Sequence, residues 1–196
     1  MNSAWYLDRA AGLVLVVLFT LTVALGVITS RRREPASQVR LFTQDLHTRV
    51  TVAAMTLLLV HVGTAVVDSY VNISLRDVFV PFIAGWNPLW LGFGTLALDL
   101  LLVVVITTII RHQIGEKPWR SIHLVSYACW ALAVIHGWRS GTDTSTVWGL
   151  SVIIGCTLIG LGAIAWRISV VLSGRNSLGY PTVAGHKATK GEVHLS

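Results

Sequence analysis

Residues 46–67 read LHTRVTVAAMTLLLVHVGTAVV and residues 119–138 read WRSIHLVSYACWALAVIHGW. Each run is apolar over ~20 residues, the length an α-helix needs to cross a bilayer. Each also carries a histidine towards either end: His47 and His61 in the first, His123 and His136 in the second. The intervals are 14 and 13 residues. At a rise of ~1.5 Å per residue, the two histidines of each run lie ~20 Å apart along the axis, within a hydrocarbon core of ~30 Å. Histidine inside a span is uncommon and by default functional. Two helices carrying two histidines each, at matched depths, therefore point to two ligand levels, one towards each leaflet.

Haem iron in a bis-histidine site needs two neutral imidazoles facing each other across the porphyrin, and neighbouring helices can supply them at one depth. Zinc fits poorly, because it would gather its ligands at ~2 Å from a single ion. On an ideal helix, 14 residues at ~100° each fall ~40° short of four turns, so His47 and His61 share a face. Thirteen residues leave His136 ~140° from His123, so that helix is expected to be distorted, tilted, or to present its rings on two sides. No proline lies between the two, and Gly137 directly follows the second.

The rest of the chain fits a membrane setting. Of 196 residues, 54% are hydrophobic and only 12% charged, with a mean hydropathy of +0.68. These values place it among integral membrane proteins. The net charge of +6 does not indicate nucleic acid, because the basic residues gather in short connections between apolar runs. Cys129 and Cys156 both fall inside apolar runs and read as small packing residues. The first apolar run is followed by Ser30-Arg31-Arg32-Arg33 rather than a small-residue cleavage site, and reads as a retained helix.

Spanning windows occur at 5–30, 46–67, 88–110, 119–138 and 147–172. The fold class expected is all-α, an integral membrane bundle of five transmembrane helices over residues 1–172, with a flexible polar tail over 173–196. Twelve of the fifteen Lys and Arg residues fall on one side, with only Arg9, Arg76 and Arg139 on the other. The positive-inside rule then puts the N-terminus outside and the C-terminus in the cytoplasm. Spans two and four both run outward, so His47 and His123 lie at cytoplasmic ends and His61 and His136 near outer ends. The connection at 68–87 has an apolar core, Val78-Phe79-Val80-Pro81-Phe82-Ile83, able to lie along the interface or fold over a cofactor edge.

Arg49, Arg120 and Arg139 stand two or three residues from His47, His123 and His136, where each could pair with a haem propionate. Topology alone accounts equally for Arg49 and Arg120, whereas Arg139 lies on the side where basic residues are scarce. Asp99, near the middle of span three, is costly there unless neutral or partnered, and could bond a ligating imidazole or serve a proton path. His112, His186 and His194 lie in polar segments and read as ordinary solvated histidines.

With its paired histidines on alternate helices, His47-x13-His61 and His123-x12-His136, the chain resembles the ferric reductase-like transmembrane domain family over roughly residues 5–172. That family includes the membrane cores of ferric-chelate reductases, NADPH oxidases and a bacterial methionine sulfoxide reductase system. The resemblance implies two b-type haems, the inner held by His47 and His123, the outer by His61 and His136. Oxidase and ferric reductase members continue into a flavin- and NADPH-binding domain, for which no glycine-rich fingerprint is seen here. The family often has six spans where five are counted in this chain.

The function expected is that of a membrane cytochrome b subunit carrying electrons across the bilayer. Its donor would be a separate cytoplasmic flavoprotein or a membrane quinol, and its acceptor would lie at the outer face. Two other readings of the histidines stand beside it: a haem-free membrane anchor or assembly subunit, and a transporter with a histidine and aspartate proton path. Against the latter, no internal repeat with broken helices is evident.

Overall fold

The computed structural model describes residues 3–30, 38–68 and 73–176. The long helices follow the apolar windows. They are α1 (Ser3–Thr29), α2 (Gln38–Val67), α4 (Pro88–Ile109) and α8 (Val147–Asn176), each with a stretch long and apolar enough to cross a membrane. Between them lie the short α3 (Leu75–Phe79), α5 (Arg111–Ile114), α6 (Glu116–His123), α7 (Val125–Ser140) and a 3₁₀ turn at Thr142–Ser145. Threonines inside the apolar helices satisfy their own hydroxyls on the carbonyl four residues back, as Thr20 does on Val16 and Thr108 on Val104. That local bond is what lets a hydroxyl lie in an apolar span.

The expected count of five spans is met by four long helices. The run at 119–138 is divided at Leu124 into α6 and α7, and α7 alone has 16 residues. At the break the ladder tightens to three-residue bonds, Leu124 N–H to the Ser121 carbonyl and Tyr127 N–H to that of Leu124. Such a 3₁₀ turn advances ~120° per residue instead of ~100°, in the direction that closes the phase gap between His123 and His136. The distortion expected from the 13-residue interval is thus a local overwinding at Leu124.

Helix α1 lies at the centre, packed along α2, α8 and α7, while α7 packs along α4. Contacts between residues 8 and 61 and between 22 and 47 make α1 and α2 antiparallel. Contacts between 90 and 136 and between 97 and 129 do the same for α4 and α7. The core is formed by Val16 and Val23 of α1, Trp130 and Val134 of α7, and Ile153 and Cys156 of α8. Trp130 packs against Gly160, where a β-carbon would collide with the indole, and its N–H donates to Thr20 at 3.0 Å. Cys129 donates its thiol to the Ala97 carbonyl, so both cysteines are packing groups in contact with neighbouring helices.

Helix α2, which carries His47 and His61, is held differently. Its close packing runs along α1 alone, and Thr43 and Ala54 are its only buried residues. The face it turns towards α4 and α7 is left with a cavity rather than a helix seam.

The described part of the connection, residues 73–87, folds back over one end of α4. Ser74 and Asp77 form a capping box for α3, and the Asp77 carbonyl accepts from Thr95 at 2.7 Å. Phe82 adopts the left-handed region (φ 68°) and lays its ring on Gly92 and against Phe93. Ile73, Asp77 and Val78 consequently line the cavity. Helix α8 runs on to Asn176, past the boundary expected at 172, and the remainder of the tail, with His186 and His194, lies outside the described residues.

The Trp130 contact carries a stability prediction. Trp130→Phe, which loses the buried N–H donor, should cost about 1 kcal/mol, and Gly160→Leu several times that through overpacking between α7 and α8. Thermal unfolding in detergent, followed by tryptophan fluorescence or circular dichroism, measures both.

Candidate functional site: four histidines on two levels

Three of the four histidines are held by the same device. His61 bonds through Nδ1 to the Asp8 carbonyl (3.1 Å), His47 to that of Thr22 (3.0 Å), and His136 to that of Trp90 (2.9 Å). In each case the residue four further along the accepting helix is glycine, Gly12, Gly26 and Gly94, and the imidazole lies over it. A β-carbon there would stand 3.2 Å from His61, 3.3 Å from His47 and 2.7 Å from His136. The reason is helical geometry. Side chains lean towards the helix N-terminus, so a side chain at i+4 would cover the carbonyl at i; glycine leaves that oxygen's second lone pair open to a neighbour. Because a carbonyl can only accept, Nδ1 carries a proton in all three rings, and in the neutral imidazole Nε2 then keeps its lone pair.

His61 and His136 face each other across the cavity between α2, α4 and α7, with ring centres 6.5 Å apart and planes at 70°. Gly12, Gly94 and Gly137 also line it. Gly137 serves a further purpose, admitting Val16 of α1, to which a β-carbon would stand at 3.2 Å. Two facing imidazoles this far apart cannot bond each other directly. A metal atom between them, ~2 Å from each nitrogen with ring centres ~1 Å beyond, would set those centres ~6 Å apart. At the other level His47 is held at Thr22, towards the far end of α1, and His123 closes α6.

His123 departs from the pattern. Its Nδ1 is buried without a hydrogen-bond partner. Nearby on α4, the Thr108 hydroxyl donates to the Val104 carbonyl and accepts the Trp119 N–H at 3.2 Å. Trp119 lies beside the imidazole, with ring centres 5.1 Å apart.

Of the three arginines expected nearby, Arg49 is exposed and bonded to Asp45 on its own helix at 2.6 Å. Arg120 bonds Glu116 through one terminal nitrogen while its Nε is buried and unpartnered, one turn before His123. Arg139 lies over the Trp90 ring at 4.5 Å, a cation–π contact on the residue whose carbonyl holds His136. Asp99 is half-buried in α4, and no hydrogen bond joins it to a histidine. The carboxylate that does meet one is Asp8, with Oδ1 2.8 Å from His61 Nδ1. Among the described residues no three of the His, Cys, Asp and Glu side chains converge as a metal cluster.

The glycines were not singled out from the sequence, although the 14-residue interval from Gly12 to Gly26 repeats that from His47 to His61. That shared interval was the available signal.

Gly94→Ala should displace the His136 ring and break its bond to Trp90, whereas Gly12→Ala and Gly26→Ala should act more weakly on His61 and His47. The 15N resonances of labelled histidine report the change at each Nδ1, with Gly94→Ala giving the largest.

No curated protein and no solved structure matches the chain. A family match does exist, covering residues 3–143, from the start of α1 through the second pair of histidines. The chain belongs to the family described as a domain of unknown function (DUF8596).

Proposed function

We propose that this chain is a membrane cytochrome b subunit, with His47 and His123 as axial ligands of one haem b and His61 and His136 as those of a second. The observation that carries the reading is the facing pair at 6.5 Å with both Nδ1 protons committed to carbonyls. With both imidazoles neutral, that leaves an Nε2 lone pair on each ring to offer a metal held between them, the donor set a bis-histidine haem requires. Pairs rather than clusters of ligands suit a metal whose other four positions are filled by a macrocycle. The glycine cradles support it, as does the cavity that separates α2 from α4 and α7. Arg120 Nε and Arg139 are the cations placed to meet propionates. Arg49, turned to Asp45, is less well placed.

Bound at these levels, two haems would supply one-electron transfer across the bilayer, and the chain's work is to fix their spacing and potential. Gly12 and Gly26 are 14 residues apart on α1, so the levels are separated by ~21 Å. We take α6 and α7 together as a fifth crossing, and the distribution of Arg and Lys to place the N-terminus outside and the His47 level towards the cytoplasm. The donor is then a separate cytoplasmic flavoprotein or a membrane quinol, and the acceptor lies outside. This is the function that the resemblance to the ferric reductase-like family implies.

The reduced-minus-oxidised visible spectrum of the detergent-purified protein, with haem counted per chain, tests this. Two b-type haems are expected in wild type and one in His61→Ala or His136→Ala. A wild type that stays colourless after haem is supplied would overturn the reading and favour a haem-free anchor. Orientation has its own test. A cysteine replacing exposed Leu75 should react with a membrane-impermeant maleimide from outside intact cells, and one replacing exposed His112 only after permeabilisation.

A further inference from the structure

The two levels are not equivalent. On His61, Nδ1 donates to the Asp8 carbonyl at 3.1 Å while the Asp8 carboxylate lies 2.8 Å away, so one residue offers both its backbone and its side chain to a single nitrogen. Thr64 also reaches that carboxylate, at 3.4 Å, and no cation among the described residues neutralises it; the neighbouring Arg9 is turned to Asp143. His136, opposite, donates to Trp90, with Ser140 Oγ at 3.5 Å. At the second level, among the described residues, His47 has a carbonyl only and His123 has no hydrogen-bond partner for Nδ1.

A carboxylate or carbonyl on the outer nitrogen of a ligating imidazole raises its basicity and so its donation to the metal. Stronger donation favours ferric over ferrous iron and lowers the reduction potential, one of the levers a protein has over a haem. We infer that Asp8 is a positioning and tuning residue that makes the His61–His136 site the lower-potential of the two, while the unpartnered imidazole of His123 leaves the His47–His123 site the higher. The inference rests on the haem reading above. Its functional content is that the site nearer the proposed outer acceptor is the stronger reductant.

Potentiometric titration of the purified protein, followed at the visible haem bands, tests it. Two one-electron components are expected in wild type. His61→Ala should remove the lower and His123→Ala the higher. Asp8→Asn, retaining two haems per chain, should raise the lower component by on the order of tenfold in its reduction equilibrium, ~59 mV for one electron, and leave the upper unmoved. Asp8→Glu, which keeps the charge at altered reach, should fall between wild type and Asp8→Asn, and serves if the asparagine variant does not accumulate. An unmoved lower component in either variant with both haems present, or loss of the higher component in His61→Ala, would overturn the inference while leaving the cytochrome reading intact. A wild type that binds no haem would instead remove the reading on which the inference rests.

Discussion

The bond from an imidazole Nδ1 to a backbone carbonyl of the neighbouring helix is the interaction on which the site depends. In an apolar span every carbonyl is already accepting from its own helix, so a histidine can bond one only through its second lone pair. That requires the face of the helix to be bare at one position. Glycine at 12, 26 and 94 provides this, and its cost in helix propensity, roughly 1 kcal/mol each relative to alanine, is offset by the buried hydrogen bond and close helix approach that it permits. The same bond fixes the tautomer, so the orientation of each ring and the chemistry of its free nitrogen have one origin.

Packing divides the bundle into a solid half and an open half. Around Val16, Trp130 and Ile153, helices α1, α7 and α8 close on one another with side chains alone. On the other side of α1, helix α2 holds its position by the seam along α1 while its opposite face borders the cavity. The histidines on α2 and α7 are therefore positioned by the helices behind them rather than by each other. Asp8 and Trp90, at the ends of α1 and α4, are part of that support, and Arg139 over the Trp90 ring braces it further.

Much of this could be read from the residues. The apolar windows gave the long helices, and the intervals between the histidines placed them at two depths on helices running in the same sense. The 13-residue interval required a distortion, but its location at Leu124 carried no proline or glycine to mark it; the overwound turn follows directly on α6, which is tied to α4 by the Trp119–Thr108 bond. Asp99 stands out in the sequence as a charge in mid-span, yet the carboxylate at a histidine is Asp8, which no motif marks. Its role depends on the antiparallel register of α1 against α2, which single-helix periodicity cannot supply. Arg49 likewise stood at the right sequence distance from His47 but found a nearer partner one turn away in Asp45.

The equal 14-residue intervals on α1 and α2 act as a matched pair of rulers. Sliding one helix past the other by a turn would put both imidazoles over side chains at once, so the register is held at two points and lost at both together. A residue inserted between Gly12 and Gly26 alone, or between His47 and His61 alone, would leave only one of the two rings seated. The lengths of these segments are thereby tied to each other: the chain can drift in sequence along either helix, but a change in length can be absorbed only when both helices change together.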